Sequence, residues 1–292
     1  MRAAQAAGHA VWSIQLPSLH WDALHGVCAE AVHLELLPDD GEWCVELVRH
    51  IVPLREFAAI VMRKDPPFDL EYVAATWLLE RAEAEGARVF NRPRALRDHS
   101  EKLSILEFAH LAAPTLVARD AARLQAFIER EGDTVLKPLD GMGGSQIFRV
   151  RQDDPNRNVI IETLTLNGQR TIMAQRFLPA ITEGDKRILL IGGEVVPYCL
   201  ARIPKAGETR GNLAVGGRGE ARPLSASDRA IANELAPVLA APGLPLVGLD
   251  VIGDTITEIN VTSPTCMVEI AAQTGFDAAT MFVAALEKAC RD

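Results

Sequence analysis

No histidine follows His110 in this 292-residue chain, and all seven lie at or before that position. The long remainder therefore cannot use a histidine base or a histidine-held metal. Its chemistry falls to Lys, Arg, carboxylates and oxygen-bound cations. Cysteine is sparse and scattered: Cys28, Cys44, Cys199, Cys266 and Cys290 show no CxxC spacing and make an odd total. That fits reduced cytoplasmic thiols better than a disulfide framework or a zinc site. No apolar run approaches the length of a bilayer span. The opening MRAAQAAGHAVWS has one Arg, and Gln5, Gly8 and His9 interrupt any signal-type apolar core. A basic surface is lacking too. The net charge of −9 and pI near 5.4 exclude a general nucleic-acid or membrane-surface binder. There is no internal repeat and no low-complexity tract. With 48% hydrophobic and 24% charged residues the chain is an ordinary globular one, long enough for two or three subdomains.

What is present alternates between strand and helix signals. The first third reads as an exposed opening helix, a strand near 10–15 and an apolar strand at 57–62. A helix from about Asp69 to Glu85 follows, with Asp69 as N-cap and Gly86 at its end, and then a short strand at 88–90. This pattern predicts an α/β layer with a parallel sheet. Near 98–101 the character changes, and a short helix carrying Lys102 leads into a second unit. Strands are expected there at 115–118, 134–138 and 147–150, and helices near 120–130 and 158–165. From about Thr171 the pattern turns antiparallel. Strands at 171–177, 186–191 and 195–203 (the last two around Gly192-Gly193) precede a glycine-rich loop at 205–219, read as a mobile lid. A helix near 226–240, an acidic hairpin and closing helices finish the chain.

That hairpin, GLDVIGDTITEINVTSPT from Gly248 to Thr265, holds the most informative residues. Leu249, Val251, Ile259 and Val261 fall on one side of an alternating pattern, and Asp250, Glu258 and Asn260 on the other. A three-residue loop around Gly253-Asp254-Thr255 would set Asp250 opposite Glu258. Two carboxylates and an amide oxygen are hard ligands, suited to Mg²⁺ bridging nucleotide phosphates rather than to zinc. Alone, the pattern would equally describe a half-exposed edge hairpin.

Upstream, Lys137 ends the strand TVLK, and Asp140-Gly141-Met142-Gly143-Gly144-Ser145 follows at once. Glycines let backbone N–H groups approach phosphate oxygens while a lysine neutralises them. No GKS or GKT closes the loop, so it is not a Walker A sequence, and in isolation it would read as a hairpin turn. Basic residues then gather at Lys186, Arg187, Arg202, Lys205, Arg210 and Arg218. Arg187 and Arg202 lie inside strands otherwise built of Ile, Leu, Val and Tyr, where a guanidinium suits a carboxylate or a transferring phosphoryl group.

Taken in order, EKL (101–103), KPLDGMGG (137–144), GDKR (184–187), PYCLARIP (197–204), GETRGN (207–212), GGRGE (216–220) and EINVTSPT (258–265) closely resemble bacterial glutathione synthetase, an ATP-grasp ligase. MRKDPPFD (62–69) resembles the same family's first domain. The likeness runs from about Met62 to Glu269 at matching spacings and more faintly outside.

The resemblance implies an α/β (α+β) ATP-grasp fold. Residues 1–98 would form a Rossmann-like N-terminal α/β domain, 99–180 a central lid-like domain and 181–292 a C-terminal domain, with ATP between the last two. Lys102 and Lys137 are similar to the lysines that hold the phosphates, beside the loop glycines Gly141, Gly143 and Gly144. Gln175, Phe177 and Leu178 match the hinge that bonds the adenine edge, and Asp185 a ribose contact. Arg187, Arg202 and Arg210 match arginines around the reacting carboxylate and phosphate. Asp250, Glu258 and Asn260 match ligands for Mg²⁺, with Mn²⁺ as an alternative ion. Arg63, Asn212, Ser263 and Thr265 would line the substrate end. The implied reaction joins γ-glutamylcysteine to glycine at the expense of ATP, through an acylphosphate, in a cytoplasmic homo-oligomer, a tetramer by resemblance.

Two departures from the family pattern matter. The family begins with a β-strand ahead of the helix that opens this chain, so the N-terminal domain is expected to lack its usual first strand and the native protein to begin upstream of Met1 or to be less stable. Val268 stands where a basic residue is common in the family, which bears on affinity for a substrate carboxylate. Two other readings stay open at this point: another ATP-grasp carboxylate–amine ligase, or a nucleotide-binding protein without turnover.

Overall fold

The computed structural model describes residues 1–38, 41–141, 143–205, 207, 208, 211, 213 and 216–291. Arg210 and Asn212, together with much of the expected 205–219 lid, lie outside the described residues.

After a short helix α1 (Arg2–Ala6), four strands form an antiparallel sheet: β1 (Val11–Ile14), β2 (His20–Asp22), β3 (Gly26–Leu36) and β4 (Cys44–Pro53). β3 is its spine. β1 and β2 pair in succession along one edge, from Val11↔Leu34 to Asp22↔Gly26, and β4 covers the other from Cys28↔Pro53 to Leu36↔Cys44. Two strands, β5 (Ile60–Val61) and β6 (Val89–Phe90), pair in parallel around helix α2 (Leu70–Ala84), and helix α3 (Pro93–Asp98) follows. Asp69 caps α2 by accepting from the Tyr72 N–H at 2.9 Å.

The parallel layer expected for the first third is therefore confined, among the described residues, to this one pair, and the antiparallel sheet dominates. The reason is visible in β4. It is exposed along nearly its whole length, so it lacks the one-sided alternation by which a strand is recognised.

The second unit is a four-stranded antiparallel sheet of β7 (Thr115–Ala118), β8 (Asp133–Pro138), β9 (Phe148–Arg151) and β10 (Ile172–Arg176), in the order β7-β10-β8-β9. Helices α4 (Ala121–Glu131) and α5 (Arg157–Thr165) cover it through a separate core that includes Leu124, Phe127, Leu136, Ile161 and Ile172. Lys102 sits in the turn just before a 3₁₀ segment, Ser104–Phe108, rather than within a helix as expected.

The last unit is a five-stranded antiparallel sheet in the order β13-β12-β11-β14-β15, built from β11 (Asp185–Ile191), β12 (Glu194–Ile203), β13 (Arg218–Pro223), β14 (Leu246–Ile252) and β15 (Thr255–Asn260). Helix α6 (Ala226–Ala240) packs on one face, with Ile231 and Leu235 in the same core as Ile188, Leu190, Leu249 and Ile259. Helices α7 (Met267–Thr274) and α8 (Ala278–Arg291) cover the other face over Leu189, Ile191, Leu200 and Leu246. Because side chains alternate along a strand, this second face continues into Asp185, Arg187, Arg202, Asp250, Glu258 and Asn260. The same strands thus bury an apolar half under two helices and present a charged half to a cleft.

Candidate active site

The hairpin of β14 and β15 sets Asp250 opposite Glu258, as the sequence suggests, but by another route. Ile252 pairs with Thr255, leaving a two-residue turn at Gly253-Asp254, and a β-bulge then slips the register between Asp250 and Val251. Turn and bulge together restore the pairing that a three-residue loop would have produced. Behind the hairpin Leu249, Val251, Ile259 and Val261 are all buried, which fixes the polar residues on the cleft side.

Charges converge on this face. Arg187 Nε donates to Asp250 Oδ1 at 2.6 Å, and Arg202 reaches Asp250 Oδ2 at 2.9 Å and Asp185 Oδ2 at 2.6 Å. Burial alone would raise the Asp250 carboxyl, but Arg187 and Arg202 outweigh it and hold it well below the ordinary carboxylate range. Asp185 goes the other way: burial pushes it up to about 6 against the pull of Arg202, and its Oδ1 is buried with no hydrogen-bond partner among the described residues. Gly248 lies under this network. A Cβ there would come within 2.9 Å of Arg187 Cδ and of Pro264 Cβ, so the close approach requires glycine.

Two lysines enter from the second unit's side. Lys102 Nζ lies 2.8 Å from Glu258 Oε1 and donates to the Gly141 carbonyl at 2.7 Å. Burial would lower its pKa, yet Glu258 more than compensates and the net shift is upward. Lys137, 7% exposed, donates to the Thr257 carbonyl at 3.2 Å. Burial lowers its pKa, with Glu258 opposing. Between these lysines the β8–β9 loop turns through Gly143 and Gly144, both with positive φ.

The cleft, about 510 Å³, is walled on its other side by Val135, Ile147, Ile181 and Ile252, with Gln175, Phe177 and Leu178 at the connection between the second and third units. Gln175 Nε2 donates to Thr115 Oγ1 at 3.0 Å, and the Arg149 guanidinium lies 3.7 Å from the centre of the Phe177 ring. Ser263 and Thr265 line the opposite end, where Ser263 Oγ donates to Asp65 of the first unit. Arg63 donates to the Pro264 carbonyl at 2.9 Å. Val268 is 78% exposed on the first turn of α7 and does not line the cleft, whereas its neighbour Glu269 does.

Sixteen of the expected site residues, all those described except Arg63, line this one cleft: Lys102, Lys137, Gly141, Gly143, Gly144, Gln175, Phe177, Leu178, Asp185, Arg187, Arg202, Asp250, Glu258, Asn260, Ser263 and Thr265.

Glu101 was not anticipated. Its Oε1 accepts from the Val261 and Thr262 N–H groups at 3.0 Å each and from the Thr262 hydroxyl at 2.7 Å. It ties the segment that carries Lys102 to the one that follows Asn260. Burial and the nearby Glu258 raise its pKa. Its position beside Lys102 in EKL was the available signal. Asp65 and Arg149 were missed as well, since only the folded chain brings them to the cleft.

The donor set suits a hard divalent ion. Asp250, Glu258 and Asn260 offer oxygen only, and Asn260 Nδ2 donates to the Gly248 carbonyl at 3.3 Å, which leaves Oδ1 free to bind. Such a density of buried charge costs stability and is characteristic of a functional site.

The family described as prokaryotic glutathione synthetase, ATP-grasp domain, matches residues 101–275, and its N-terminal domain matches residues 1–97. The chain belongs to the prokaryotic glutathione synthetase family. That family uses ATP with a divalent metal, in keeping with the oxygen cage and the two lysines. The glutathione synthetase of Ralstonia nicotianae is 57% identical over 291 residues, covering 99% of this chain and 89% of the relative. That of Bordetella parapertussis is 65% identical over 237 residues, 81% of this chain and 74% of the relative. Among solved structures, a D-cycloserine synthetase superposes with a TM-score of 0.64 at 18% identity, covering 82% of this chain and 86% of that one, a likeness of fold. The mixed α/β architecture is thus the ATP-grasp fold. No described helix is long and apolar enough to cross a membrane.

Proposed function

We propose that this chain is a glutathione synthetase that ligates γ-glutamylcysteine to glycine with release of ADP and phosphate. The observation that carries the reading is the convergence of Lys102 and Lys137, from separate segments, on the hairpin that holds Asp250, Glu258 and Asn260. Lys137 donates to a carbonyl rather than to a carboxylate, so a buried ammonium faces the cleft ready for an incoming anion.

The division of labour implied by the resemblance is supported by the shared cleft. Lys102 and Lys137 hold the ATP phosphates over the glycine loop of Gly141, Gly143 and Gly144. The apolar wall and the connection Gln175–Leu178 take the adenine, and Asp185, with one oxygen unpartnered among the described residues, takes the ribose. Asp250, Glu258 and Asn260 would hold Mg²⁺ or Mn²⁺, whose charge neutralises β- and γ-phosphate oxygens when bound.

The dipeptide's C-terminal carboxylate attacks the γ-phosphorus, the bond to the β–γ bridging oxygen breaks, and an acylphosphate and ADP result. Glycine's amine then adds to the acyl carbon, the nitrogen gives up one proton, and phosphate leaves with the electron pair of the acyl–oxygen bond as the amide forms. Arg187 and Arg202, fixed by Asp250 and Asp185, hold charge that grows on the reacting oxygens without reorganising. Arg210 is assigned the same task by resemblance. Ser263 and Thr265 line the substrate end, Arg63 braces it through the Pro264 carbonyl, and Asn212 is assigned to it by resemblance.

We retain the division at 1–98, 99–180 and 181–292, which the separate core of the second sheet supports. A cytoplasmic homo-oligomer likewise rests on resemblance. The deciding experiment measures ADP release with γ-glutamylcysteine and glycine each omitted in turn. Turnover that requires both supports the assignment, and turnover with a different amine in place of glycine would overturn it.

A further inference from the structure

Outside the cleft, the hairpin of β2 and β3 gathers three side chains of different donor chemistry. One ligand atom each from His20, Asp22 and Cys28 (a ring nitrogen, a carboxylate oxygen and the thiol sulfur) lie within 4.8 Å of one another. Topology accounts for the meeting. His20 stands directly across the ladder from Cys28, and Asp22, two residues on, shares the His20 side of β2.

The surroundings present these atoms as ligands. His20 Nδ1 lies 2.8 Å from the Ser18 carbonyl, a contact only an N–H can make, so Nε2 keeps the lone pair. Metal-binding histidines are held by their second nitrogen in this way. Asp22 Oδ1 accepts from the Leu24 and His25 N–H groups at 2.8 and 2.9 Å, and the His25 ring lies 3.2 Å from both oxygens, so the carboxylate is preset. Cys28 projects from the rigid central strand and is 2% exposed.

We propose that His20, Asp22 and Cys28 form a Zn²⁺ site that clips β2 to β3. Thiolate, imidazole and carboxylate together select a borderline-soft ion, in contrast to the all-oxygen cage of the cleft. Water completes a four-coordinate shell. Zinc–ligand lengths put sulfur and nitrogen about 3.5 Å apart in a tetrahedron, inside the 4.8 Å within which the three ligand atoms already lie. The Cys28 proton passes to solvent as the Zn–S bond forms, sulfur supplies the electron pair, and nothing is oxidised or reduced. β2 is only three residues long, and Glu85 of the turn after α2 already holds the hairpin through the Val27 N–H and Trp21 Nε1. A metal clip would fix the hairpin's free edge as well.

The test uses the full chain with excess Mg²⁺ to fill the cleft, Co²⁺ as the spectroscopic probe and Zn²⁺ as competitor. One equivalent of Co²⁺ is expected to give a thiolate-to-cobalt charge-transfer band that Zn²⁺ displaces. Cys28→Ser should abolish the band, and His20→Ala should weaken Co²⁺ binding by about tenfold or more, both without changing ligase turnover. Absence of the band in the unaltered protein, its persistence in Cys28→Ser, or full Co²⁺ affinity in His20→Ala would each overturn the site. His20 is a surface residue, so its variant decides the matter even if Cys28→Ser fails to fold.

Discussion

Asp250 and Glu258 face each other across β14 and β15 because a β-bulge adds back the residue that the tight Gly253-Asp254 turn leaves out. Their opposition sets two carboxylates side by side on the cleft face, and each is already held by a cation of the protein: Asp250 by Arg187 and Arg202, Glu258 by Lys102.

Glu258→Gln keeps the shape and a hydrogen-bond acceptor for Lys102 but removes the charge. Turnover should fall at least 100-fold, about 2.7 kcal/mol of transition-state stabilisation, with only a small change in melting temperature. Steady-state kinetics at saturating Mg²⁺ checks this, and near-normal kcat would remove Glu258 from the metal set.

Lys137→Ala and Arg202→Ala should separate binding from chemistry. The lysine donates to a backbone carbonyl and is assigned to the phosphates, so its loss should raise KM for ATP and lower kcat together. Arg202 is locked between Asp185 and Asp250, and its loss should depress kcat with a smaller effect on KM for ATP, because its partner charge grows during reaction. If Arg202→Ala changed ATP affinity alone, its assigned role would be wrong.

Asp185 offers a pH signature. Its folded pKa near 6 lies above the ordinary carboxylate value of 3.8, so the folded state binds the extra proton between those limits. Its contribution to stability is fully present below about pH 4 and is lost as pH rises through about 6. Asp250, held low, contributes in the opposite sense: its stabilisation is present above the unfolded carboxylate range and is lost only in strong acid. In nucleotide-free protein a ¹³C-carboxyl titration should show one resonance with a midpoint near 6 that Asp185→Asn removes. A midpoint near 4 for that resonance would contradict the burial argument.

Gly248→Ala tests packing beneath the arginines. The new methyl group would meet Arg187 Cδ and Pro264 Cβ at 2.9 Å. Arg187 can yield but the proline ring cannot, so a loss of about 1–3 kcal/mol in stability is expected, with lower turnover as Arg187 moves. Denaturant melts alongside kinetics would show both, and an unchanged melting midpoint would mean the loop yields freely.

The sequence carried most of the last two units because their periodicity is unambiguous. The helix at 226–240 and the strand at 115–118 stand where the pattern put them, and Asp69 caps its helix as expected. It carried the first unit less well, since β4 is exposed on both faces and leaves no alternation to read. The glycine loop and the acidic hairpin were legible because their residues are local in sequence. Glu101 and Asp65 were not, because what they do depends on contacts with Thr262 and Ser263, about 160 and 200 positions away. Cysteine spacing likewise gave no hint of the β2–β3 cluster, whose three members meet only through strand pairing.

The Lys102–Glu258 contact makes the resting cleft a mutual lock. On the assignment proposed above, phosphate takes Lys102 and the divalent ion takes Glu258, two side chains that pair with each other at 2.8 Å. On that assignment an ion arriving alone separates a buried lysine from a half-buried carboxylate and strands the lysine, and nucleotide arriving alone strands the carboxylate. Arriving together, the two ligands exchange one neutral pairing for two. Nucleotide and cation are then expected to raise each other's affinity by the same factor, a reciprocity that thermodynamic linkage demands and that a single ion pair is enough to establish.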